Sequence, residues 1–582
     1  MRTIFGYFKP YKKQSVMGPL FKLLEATFEL IVPFIVALIV DRGIGAEVNG
    51  AYPNADKPFI FAMFGVLVLL GVVGFLCSIT AQYFAAKTAT GISAHIRKDL
   101  FKKVQSLSYA DLDKLGTSTV LTRMTGDIDK LQSGINLGLR LLLRSPFIVF
   151  GAMITALFID PKSFGVFAVV IVALAVVVYG VMFLCMPLYK KAQSGLDQVT
   201  KSTRENLTGV RVLRAFCMEQ KEEHSFAEKN ETLTKRRKFV GRIAEITNPL
   251  TYVIVNLGII VLLWTGAIRV DGGNLSQGSV IALYNLMSQI LIELIKLANL
   301  IVTITKAAAC GSRIESVLKT EPSIKDGTLP AQKRDDLPYV LYQGVSVRYQ
   351  GGGENAIHGV DLSVEKGQTI GIIGGTGSGK TTLVNALPRF YEITEGELYV
   401  DGVSVKDYPL EQLRSFIGVV PQKAVLFKGT VKSNLAFGDK TADDEWLTAC
   451  LEAAQAKEFV FEKGGLETPV EQGGKNFSGG QKQRLTIARA LVKKPQILIL
   501  DDSSSALDYA TDRALRSAIK NLPFKPTVFV VSQRTSSVRN ADKIVVLEDG
   551  AVVGVGTHET LLKECSVYRE IYESQYGERG HV

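Results

Sequence analysis

The sequence predicts two parts in one chain: an α-helical domain of six membrane spans with long cytoplasmic helix extensions, then a soluble α/β domain. Six long apolar stretches precede residue 320, and β-rich runs that alternate with helical ones follow it. Hydrophobic residues make up 47% of the 582 residues and charged residues 21%, below the roughly 25% of soluble globular chains. This composition excludes a disordered chain, because there is ample apolar surface to offset the chain entropy.

Each of the six apolar stretches is long enough to cross a bilayer as a helix. Crossing the hydrocarbon needs about 20 mainly apolar residues, and a helix satisfies its own backbone hydrogen bonds there. Runs such as FIVALIV (34–40) and FGVLVLLGVVGFL (64–76) have no polar face, so buried helices of a large soluble core are the weaker alternative. We expect the spans at approximately 16–40, 58–86, 136–159, 164–188, 248–270 and 275–305.

The charges of the connecting segments orient these spans. Segments 87–135 and 189–247 are long and rich in Lys and Arg, as in LYKK, RVLR and TKRRK. The shorter connections, poorer in Lys and Arg, are 41–57, 160–163 and 271–274. The positive-inside rule therefore places both termini, both long segments and the α/β domain in the cytoplasm. We expect a multi-pass membrane protein, and we interpret MRTIFGYFKPYKKQ as a retained cytoplasmic segment rather than a signal peptide.

Charge and cysteine content exclude several other classes. The formal net charge of +11 is explained by the cytoplasmic Lys and Arg, so it calls for no nucleic-acid partner, and six spans exclude a soluble nucleic-acid enzyme. The six cysteines are scattered without a CxxC pair, which gives no support to a zinc ribbon or a disulfide framework.

A polar segment with three prolines, TEPSIKDGTLPAQKRDDLP, separates the two parts. Beyond it, the runs QTIGIIG, QILILDD and TVFVVSQ alternate with helical segments, which is typical of a largely parallel sheet. We expect a transmembrane domain at 1–320, a linker at 321–336 and the α/β domain at 337–582.

A glycine-rich loop follows the strand TIGIIG and precedes a helical run. It fits G-x-x-x-x-G-K-[ST], in which backbone N–H groups surround phosphate oxygens, the Lys reaches the β- and γ-phosphates and the hydroxyl binds Mg²⁺. The residues of this phosphate loop are Gly374, Gly375, Thr376, Gly377, Ser378, Gly379, Lys380, Thr381 and the adjoining Thr382. The strand ILIL ends in Asp501, an acidic residue placed to bind the metal.

Between these elements lies Phe477-Ser478-Gly479-Gly480-Gln481, followed by KQRLTIARAL. The combination resembles the ATP-binding cassette (ABC) family, whose signature it matches except that Phe replaces the usual Leu. With six preceding spans, the chain resembles a half-transporter of the type IV ABC exporters over nearly its whole length. The resemblance implies a P-loop ABC nucleotide-binding domain with ATP and Mg²⁺ as cofactors. From the half-transporter layout we expect the plasma membrane of a bacterial cell.

The resemblance also implies a role for each matching position. Tyr349 would stack on adenine, Gln422 would sense Mg²⁺, and Asp508, in the loop Ser505–Asp508, would couple the two ATP sites of a dimer. The metal would be held by Thr381, Gln422 and Asp501, and Ser478, Gly479, Gly480 and Gln481 would bind the γ-phosphate of ATP on the opposite subunit. Segment 111–132 is similar to the family's first intracellular loop.

Three positions depart from the family pattern. Asp502 stands where a catalytic Glu usually follows the metal-binding Asp, and its shorter side chain withdraws the carboxylate by roughly 1.5 Å, which matters when a base must lie within about 3.2 Å of its proton. Gln533 replaces a histidine that contacts the γ-phosphate, and an amide cannot become a cation. Gln472 replaces a Glu ahead of the signature.

These departures indicate a weakened ATP site beside an intact signature. The chain therefore resembles the degenerate-site subunit of a heterodimeric exporter, whose different partner supplies the catalytic Glu. Three alternatives remain open at this point: a slow homodimer that manages with Asp502 and Gln533, an exporter-shaped importer, and an ATP-gated regulator or channel.

Ionisable residues at membrane depth are expensive and so are functional candidates. Two helical stripes stand out as a candidate lining for a cargo cavity: Glu25 and Glu29 in the first span, and Asn285, Gln289 and Glu293 in the sixth. The alternative is that these residues pair with one another or with Lys22 and Lys296, and that Arg144 snorkels or forms an ion pair. The expected cargo is a small molecule, a lipid or a peptide.

Overall fold

The computed structural model describes most of the chain. The described residues are 2–45, 56–327, 334–349 and 353–577. The predicted connection 41–57 and the predicted linker 321–336 fall partly on residues 46–55 and 328–333, which lie outside the described residues.

The chain forms two compact units. The first holds residues 1–103 and 119–320, and the second holds residues 104–118 and 321–582. The short segment 104–118 therefore belongs by its contacts to the second unit, although it precedes most of the first unit in sequence.

Among the described residues, six helical stretches are long and apolar enough to span a membrane. They are Lys9–Ile44, Lys57–Ser106, Thr117–Ile159, Pro161–Thr208, Glu219–Asp271 and Gln277–Leu318. Several are interrupted, and the α-helices within and beside them are Arg2–Gly6, Lys12–Leu38, Lys57–Ser106, Thr117–Thr122, Ile128–Leu141, Arg144–Ile159, Pro161–Thr208, Val210–Ala215, Glu219–Glu245, Thr247–Asp271 and Gln277–Leu318. The predicted fold class, six spans followed by an α/β domain, is confirmed.

These helices are much longer than a bilayer requires. Pro161–Thr208 has 48 residues and Gln277–Leu318 has 42. At 1.5 Å per residue they measure about 72 and 63 Å, against a hydrocarbon core of about 30 Å. The helical extensions expected from the charged connecting segments are therefore present.

The first unit packs its helices through small residues. Ala26, Ala152 and Ala156 are fully buried in a core with Leu283 and Ile290. A Cβ atom added to Gly258 would lie 2.5 Å from the Val170 side chain, so the backbones approach too closely for a larger residue. Close approach through small residues is the usual way in which helices associate in lipid, where burial of apolar surface supplies little driving force.

The second unit is built on a six-stranded sheet. Its strands are β1 (Val340–Val347), β2 (Ile357–Val364), β3 (Thr369–Gly374), β4 (Glu395–Val400), β5 (Val403–Ser404), β6 (Ile417–Val420), β7 (Gly429–Thr430), β8 (Pro469–Val470), β9 (Ile497–Asp501), β10 (Thr527–Val531), β11 (Lys543–Glu548) and β12 (Ala551–Gly556). The main sheet has the order β12-β11-β3-β10-β9-β6 and is parallel except for β12 at one edge. A second, antiparallel sheet has the order β2-β1-β4-β5, and β7 pairs with β8.

Both faces of the main sheet are buried, which explains why its strands are continuously apolar. In β9, Leu498 and Leu500 join one core cluster, while Ile497 and Ile499 join the cluster on the other face. The α-helices of this unit are Tyr109–Leu115, Lys380–Ala386, Leu410–Phe416, Val431–Leu435, Asp444–Ala453, Lys457–Glu462, Gly479–Val492, Tyr509–Lys520, Thr535–Val538, His558–Glu564 and Ser566–Tyr576.

Candidate nucleotide site

Four parallel strands of the main sheet deliver the site residues to one edge. β3 runs into the phosphate loop at Gly374, β9 ends at Asp501, and β6 and β10 lead to Gln422 and Gln533. Ligands of open α/β sheets bind at this carboxyl edge. A cleft of about 320 Å³ lies here, and the predicted residues that line it are Tyr349, Thr376, Gly377, Gly379, Lys380, Thr381, Thr382, Gln422, Asp501, Asp502 and Gln533.

The phosphate loop adopts the turn that its glycines allow. Gly377 and Gly379 have φ of 85° and 91°, in the left-handed region, and a Cβ on Gly379 would meet the Ala356 carbonyl oxygen at 2.6 Å. Lys380 begins the following helix and donates from Nζ to the carbonyl oxygens of Gly374 and Gly375, at 3.0 and 2.5 Å. Burial lowers the pKa of Lys380, against the opposing charges of Asp502 and Asp501.

The predicted metal ligands Thr381 and Asp501 are in direct contact. Thr381 Oγ1 donates to Asp501 Oδ1 at 2.9 Å, and Asp501 is only 5% exposed. Burial raises the pKa of the Asp501 carboxyl, and the Thr381 hydrogen bond only partly opposes this. One hydroxyl and one carboxylate beside a phosphate loop fit Mg²⁺, which is usually held by one or two carboxylates together with substrate phosphates.

Asp502, the residue after Asp501, lines the cleft, and its carboxylate is already engaged in a hydrogen bond. The Asp502 carboxylate accepts a hydrogen bond from Gln422 Nε2 at 3.2 Å. Its φ is 46°, a left-handed conformation that Asp adopts more readily than most residues. Gln533, on the loop after β10, is exposed and also lines the cleft. The structure therefore brings together two of the three substituted positions that the sequence singled out, while the third, Gln472, is exposed and does not line the cleft.

Tyr349 follows β1 by two residues and lies against the phosphate loop. Its hydroxyl is 2.7 Å from Thr382 Oγ1, and its ring meets that of Tyr391 edge to face, with centroids 4.7 Å apart. Tyr391 also donates to Asp113 Oδ2 at 3.2 Å. Burial, together with the Asp113 charge, raises the pKa of Tyr391 to about 12. Sequence reasoning missed Tyr391, because no motif marks it.

The signature residues form a separate, exposed helix start. Ser478 caps the helix Gly479–Val492: its Oγ accepts from the Gln481 backbone N–H at 3.3 Å, and its own N–H donates to Gln481 Oε1 at 3.1 Å. Ser478 and Gly479 are exposed and, unlike the phosphate loop, are not part of the lining of the cleft. Phe477, the substituted signature position, is buried with its ring 6.2 Å from that of Phe459.

Comparison with known proteins follows the same division of the chain. The ABC transporter transmembrane region matches residues 16–294, and the ABC transporter nucleotide-binding family matches residues 357–505. An uncharacterized ABC transporter ATP-binding protein of Mycobacterium tuberculosis is 34% identical over 575 residues, 98% of this chain and 97% of that protein. The chain belongs to the ABC transporter family.

Further relatives indicate the exporter type of ABC transporter. An ATP-dependent lipid A-core flippase of Haemophilus influenzae is 29% identical over 581 residues, 99% of this chain and 97% of that protein. The structure of a bacterial Atm1-family ABC exporter with ATP bound superposes with a TM-score of 0.82 at 22% identity, covering 98% of this chain and 99% of the other. This ABC transporter has the exporter fold, with multi-pass membrane helices and an ATPase domain.

In this ABC transporter, segment 104–118 packs on the nucleotide-binding part. The rings of Tyr109 and Phe390 meet edge to face, with centroids 4.8 Å apart. Asp111 accepts hydrogen bonds from the backbone N–H of Ser323 at 3.0 Å and from the Ser108 hydroxyl at 2.7 Å. Segment 111–132, which resembles the family's first intracellular loop, overlaps this segment, and only its residues up to 118 belong to this unit.

The candidate cargo residues of the membrane unit are largely engaged in ion pairs. Arg144 donates to Glu29 at 2.6 Å and to Glu293 at 2.6 Å, and Glu293 also pairs with Lys296 at 2.9 Å. Glu25 pairs with Lys22 at 2.5 Å. Arg144 is 6% exposed, which favours the ion-pair alternative over snorkelling.

The two amides of the sixth-span stripe form no ion pair, unlike its one carboxylate, Glu293. Gln289 Nε2 lies 3.4 Å from the Glu29 carbonyl oxygen, and Asn285 is half-buried. Among the three candidate carboxylates, Glu29 has the most exposed side chain, at 42%. Arg144 of span three pairs with Glu29 of span one and with Glu293 of span six, so it joins the two stripes. Spacing within a single helix could not reveal this contact.

Proposed function

We propose that this chain is one half of a heterodimeric ATP-driven exporter and that its own phosphate-loop site binds MgATP but hydrolyses it slowly. A second, different half-transporter would carry the catalytic Glu. The fast site would then combine the partner's phosphate loop with Ser478–Gln481 of this chain.

The observation that carries the proposal is the state of the Asp502 carboxylate. The carboxylate is on a short side chain and accepts a hydrogen bond from Gln422 at 3.2 Å. To contact a water beyond the γ-phosphate, it would have to extend farther than an Asp side chain allows and give up this hydrogen bond. A general base must lie within about 3.2 Å of the proton that it takes. This geometry supports nucleotide binding with poor activation of water.

The contact at the γ-phosphate is weakened in the same direction. Gln533 offers one neutral hydrogen bond, whereas a protonated histidine would offer a charge-assisted bond of about twice the strength. Two substitutions that weaken the same step support a site that holds ATP rather than turning it over.

The signature half supports the other part of the proposal. The capping box of Ser478 and Gln481 holds the helix start in place and uses the Ser478 backbone N–H, while the exposed Gly479 at the first helical position offers its backbone N–H to an anion. A helix start with this exposure is suited to receive the γ-phosphate of ATP bound to another subunit.

Mg²⁺ would be held by Thr381 and Asp501, with Gln422 nearby. When bound, the metal supplies neutralisation of the phosphate charge. Lys380 would orient the β- and γ-phosphates, Tyr349 would face the adenine, and Asp508 would stand at the dimer interface. The metal would also draw the buried Asp501 carboxylate into its ionised form.

The proposal places the transmembrane domain at 1–320, the linker at 321–336 and the nucleotide-binding domain at 337–582, with both termini in the cytoplasm of a bacterial cell. The cargo is a small molecule, a lipid or a peptide, since one relative is a lipid flippase. Glu29 and Gln289 are the residues that we propose to face it.

The deciding experiment is Mg-ATP hydrolysis by this chain purified alone in lipid, with Lys380→Ala as the blank and nucleotide binding measured in parallel. We expect ATP binding that Lys380→Ala weakens, with turnover close to that of the blank. Rapid turnover absent from the blank would contradict the proposal and support a functional homodimer.

A further inference from the structure

The loop that carries Gln533 is bonded to the last described helix, Ser566–Tyr576, through one side chain. Gln575 Nε2 donates to the carbonyl oxygen of Gln533 at 2.7 Å. At its other end, Gln575 Oε1 accepts from the backbone N–H and from the hydroxyl of Thr535, both at 2.9 Å. One amide thus holds both ends of the three-residue stretch that presents Gln533 to the cleft.

The helix that carries Gln575 is itself firmly anchored. Tyr568 is fully buried, and its hydroxyl lies 2.8 Å from Nδ1 of His558. The His558 ring also packs against Tyr572, with centroids 5.4 Å apart. The exposed Gln575 lies three residues beyond Tyr572 on this helix, which is attached to the domain through the buried Tyr568 and through the ring contact of Tyr572 with His558.

The far side of the same loop is held by a different element. Arg516, on the helix Tyr509–Lys520, donates to the carbonyl oxygens of Ser536 and Ser537 at 2.9 and 2.7 Å. Arg516 also pairs with Asp512 at 2.8 Å. These bonds begin after Thr535, so they fix the short helix that follows the loop, while Gln575 fixes the part that faces the phosphate.

We propose that Gln575 is a positioning residue for the γ-phosphate contact of Gln533, an inference that rests on the proposed function of this ATP site. A hydrogen bond from a neutral amide weakens steeply with distance and angle. The side chain of Gln533 is exposed, so its aim depends on its backbone, and Gln575 is bonded to that backbone.

The consequence is a selective effect on ATP. ADP lacks the γ-phosphate, so its affinity depends on Tyr349 and the phosphate loop and not on the aim of Gln533. Gln575→Met keeps the approximate volume of the side chain and removes its hydrogen bonds. We expect this variant to lower the affinity for Mg-ATP about fivefold, the effect of one neutral hydrogen bond, and to leave that for Mg-ADP within twofold.

The experiment measures competition of Mg-ATP and of Mg-ADP against a fluorescent nucleotide, on the full chain in lipid. Ser574→Ala is the matched control on the same helix, because Ser574 Oγ donates to the Ile571 carbonyl oxygen within that helix. It should change neither affinity. The double variant Gln533→Ala with Gln575→Met should bind Mg-ATP no more weakly than Gln533→Ala alone.

Each other outcome overturns the inference in a recognisable way. Equal losses for ATP and ADP would show a merely structural role for Gln575. Unchanged ATP affinity in Gln575→Met, or additive losses in the double variant, would show that Gln575 does not act through Gln533. If Gln533→Ala itself leaves the ratio of the Mg-ATP affinity to the Mg-ADP affinity unchanged, Gln533 does not contact the γ-phosphate. The inference about Gln575 is then wrong as well.

Discussion

The nucleotide-binding part presents two phosphate-facing surfaces that have been altered to different degrees. The cleft at the carboxyl edge of the sheet has a short carboxylate, Asp502, hydrogen-bonded to Gln422, and it is also lined by a neutral amide, Gln533, to which we assign the γ-phosphate contact. The helix start at Ser478 has a complete capping box, and Ser478 and Gly479 are exposed there. The difference teaches that two surfaces of one domain can depart from the family pattern independently, and it is the basis of our proposal that this chain completes a site on another subunit while its own site is slow.

The largest effect should come from the signature surface. Ser478→Arg places a long side chain where the partner's γ-phosphate would bind, and we expect ATP turnover of the complete transporter to fall at least about 100-fold, the cost of removing a key phosphate contact. Turnover is measured with this chain and its partner in lipid.

The matched control for this change is Thr557→Arg. Thr557 caps the helix His558–Glu564 with the same capping box, so its loss should cost a similar stability of about 1 kcal/mol. Turnover should stay within about twofold, because no phosphate role is attached to that helix. Comparable losses of turnover from the two variants, or from Asp502→Asn, would break the asymmetry between the two surfaces.

A gain of activity comes next in size. Asp502→Glu returns the missing methylene, and we expect Mg-ATP hydrolysis by this chain alone to rise about tenfold or more, part of the roughly 100-fold to 10,000-fold that a well-placed general base contributes. Asp502→Asn serves as the control, since it keeps the length and removes the base. Equal rates for the Glu and Asn variants would show that reach does not limit this site.

A smaller effect should follow from charge at the γ-phosphate. In Gln533→His, the imidazole becomes a cation as the pH falls through its usual pKa of about 6.5, so ATP binding should strengthen on going from pH 8 to pH 6. The expected gain over the parent chain at the same pH is about threefold to fivefold. If the ratio of the ATP affinities of the variant and the parent chain does not change with pH, the charge of the imidazole does not strengthen ATP binding.

The smallest effect is on stability. Burial raises the pKa of Asp501, so its ionised form costs stability, which is lost as the pH rises through the raised folded-state pKa. Asp501→Asn should therefore stabilise the nucleotide-free protein at pH 7 by about 1 kcal/mol, while Mg²⁺-dependent ATP binding is lost. Thermal unfolding with and without Mg-ATP measures both. If the variant is less stable than the parent chain at pH 7, the inference that the buried, ionised Asp501 carboxylate costs stability is wrong.

Much of this site could be predicted because its residues belong to local patterns. The phosphate loop, Asp501 and Ser478 each follow or begin an element whose type is evident from the sequence, and the parallel sheet then brings the first two together. Tyr391 and Gln575 could not be found in this way, because their partners lie 40 residues or more away and no spacing rule connects them.

The membrane unit shows the same limit. Spacing placed Glu25 and Glu29 on one face of the first span, and the second stripe on one face of the sixth. It could not show that Arg144 of the third span lies between Glu29 and Glu293, because helical periodicity describes one helix and not its neighbours.

The sixth long helix, Gln277–Leu318, is held at two separate points along its length. Glu293 is bound to Arg144, and Arg313 forms a two-pronged ion pair with Asp127 at 2.6 and 2.8 Å. The two attachments are 20 residues apart, about 30 Å along an α-helix. Because the helix is attached at both points, a movement at one ion pair also acts on the other. Any tilt of this helix during a transport cycle must therefore carry both neighbouring segments with it or break one ion pair.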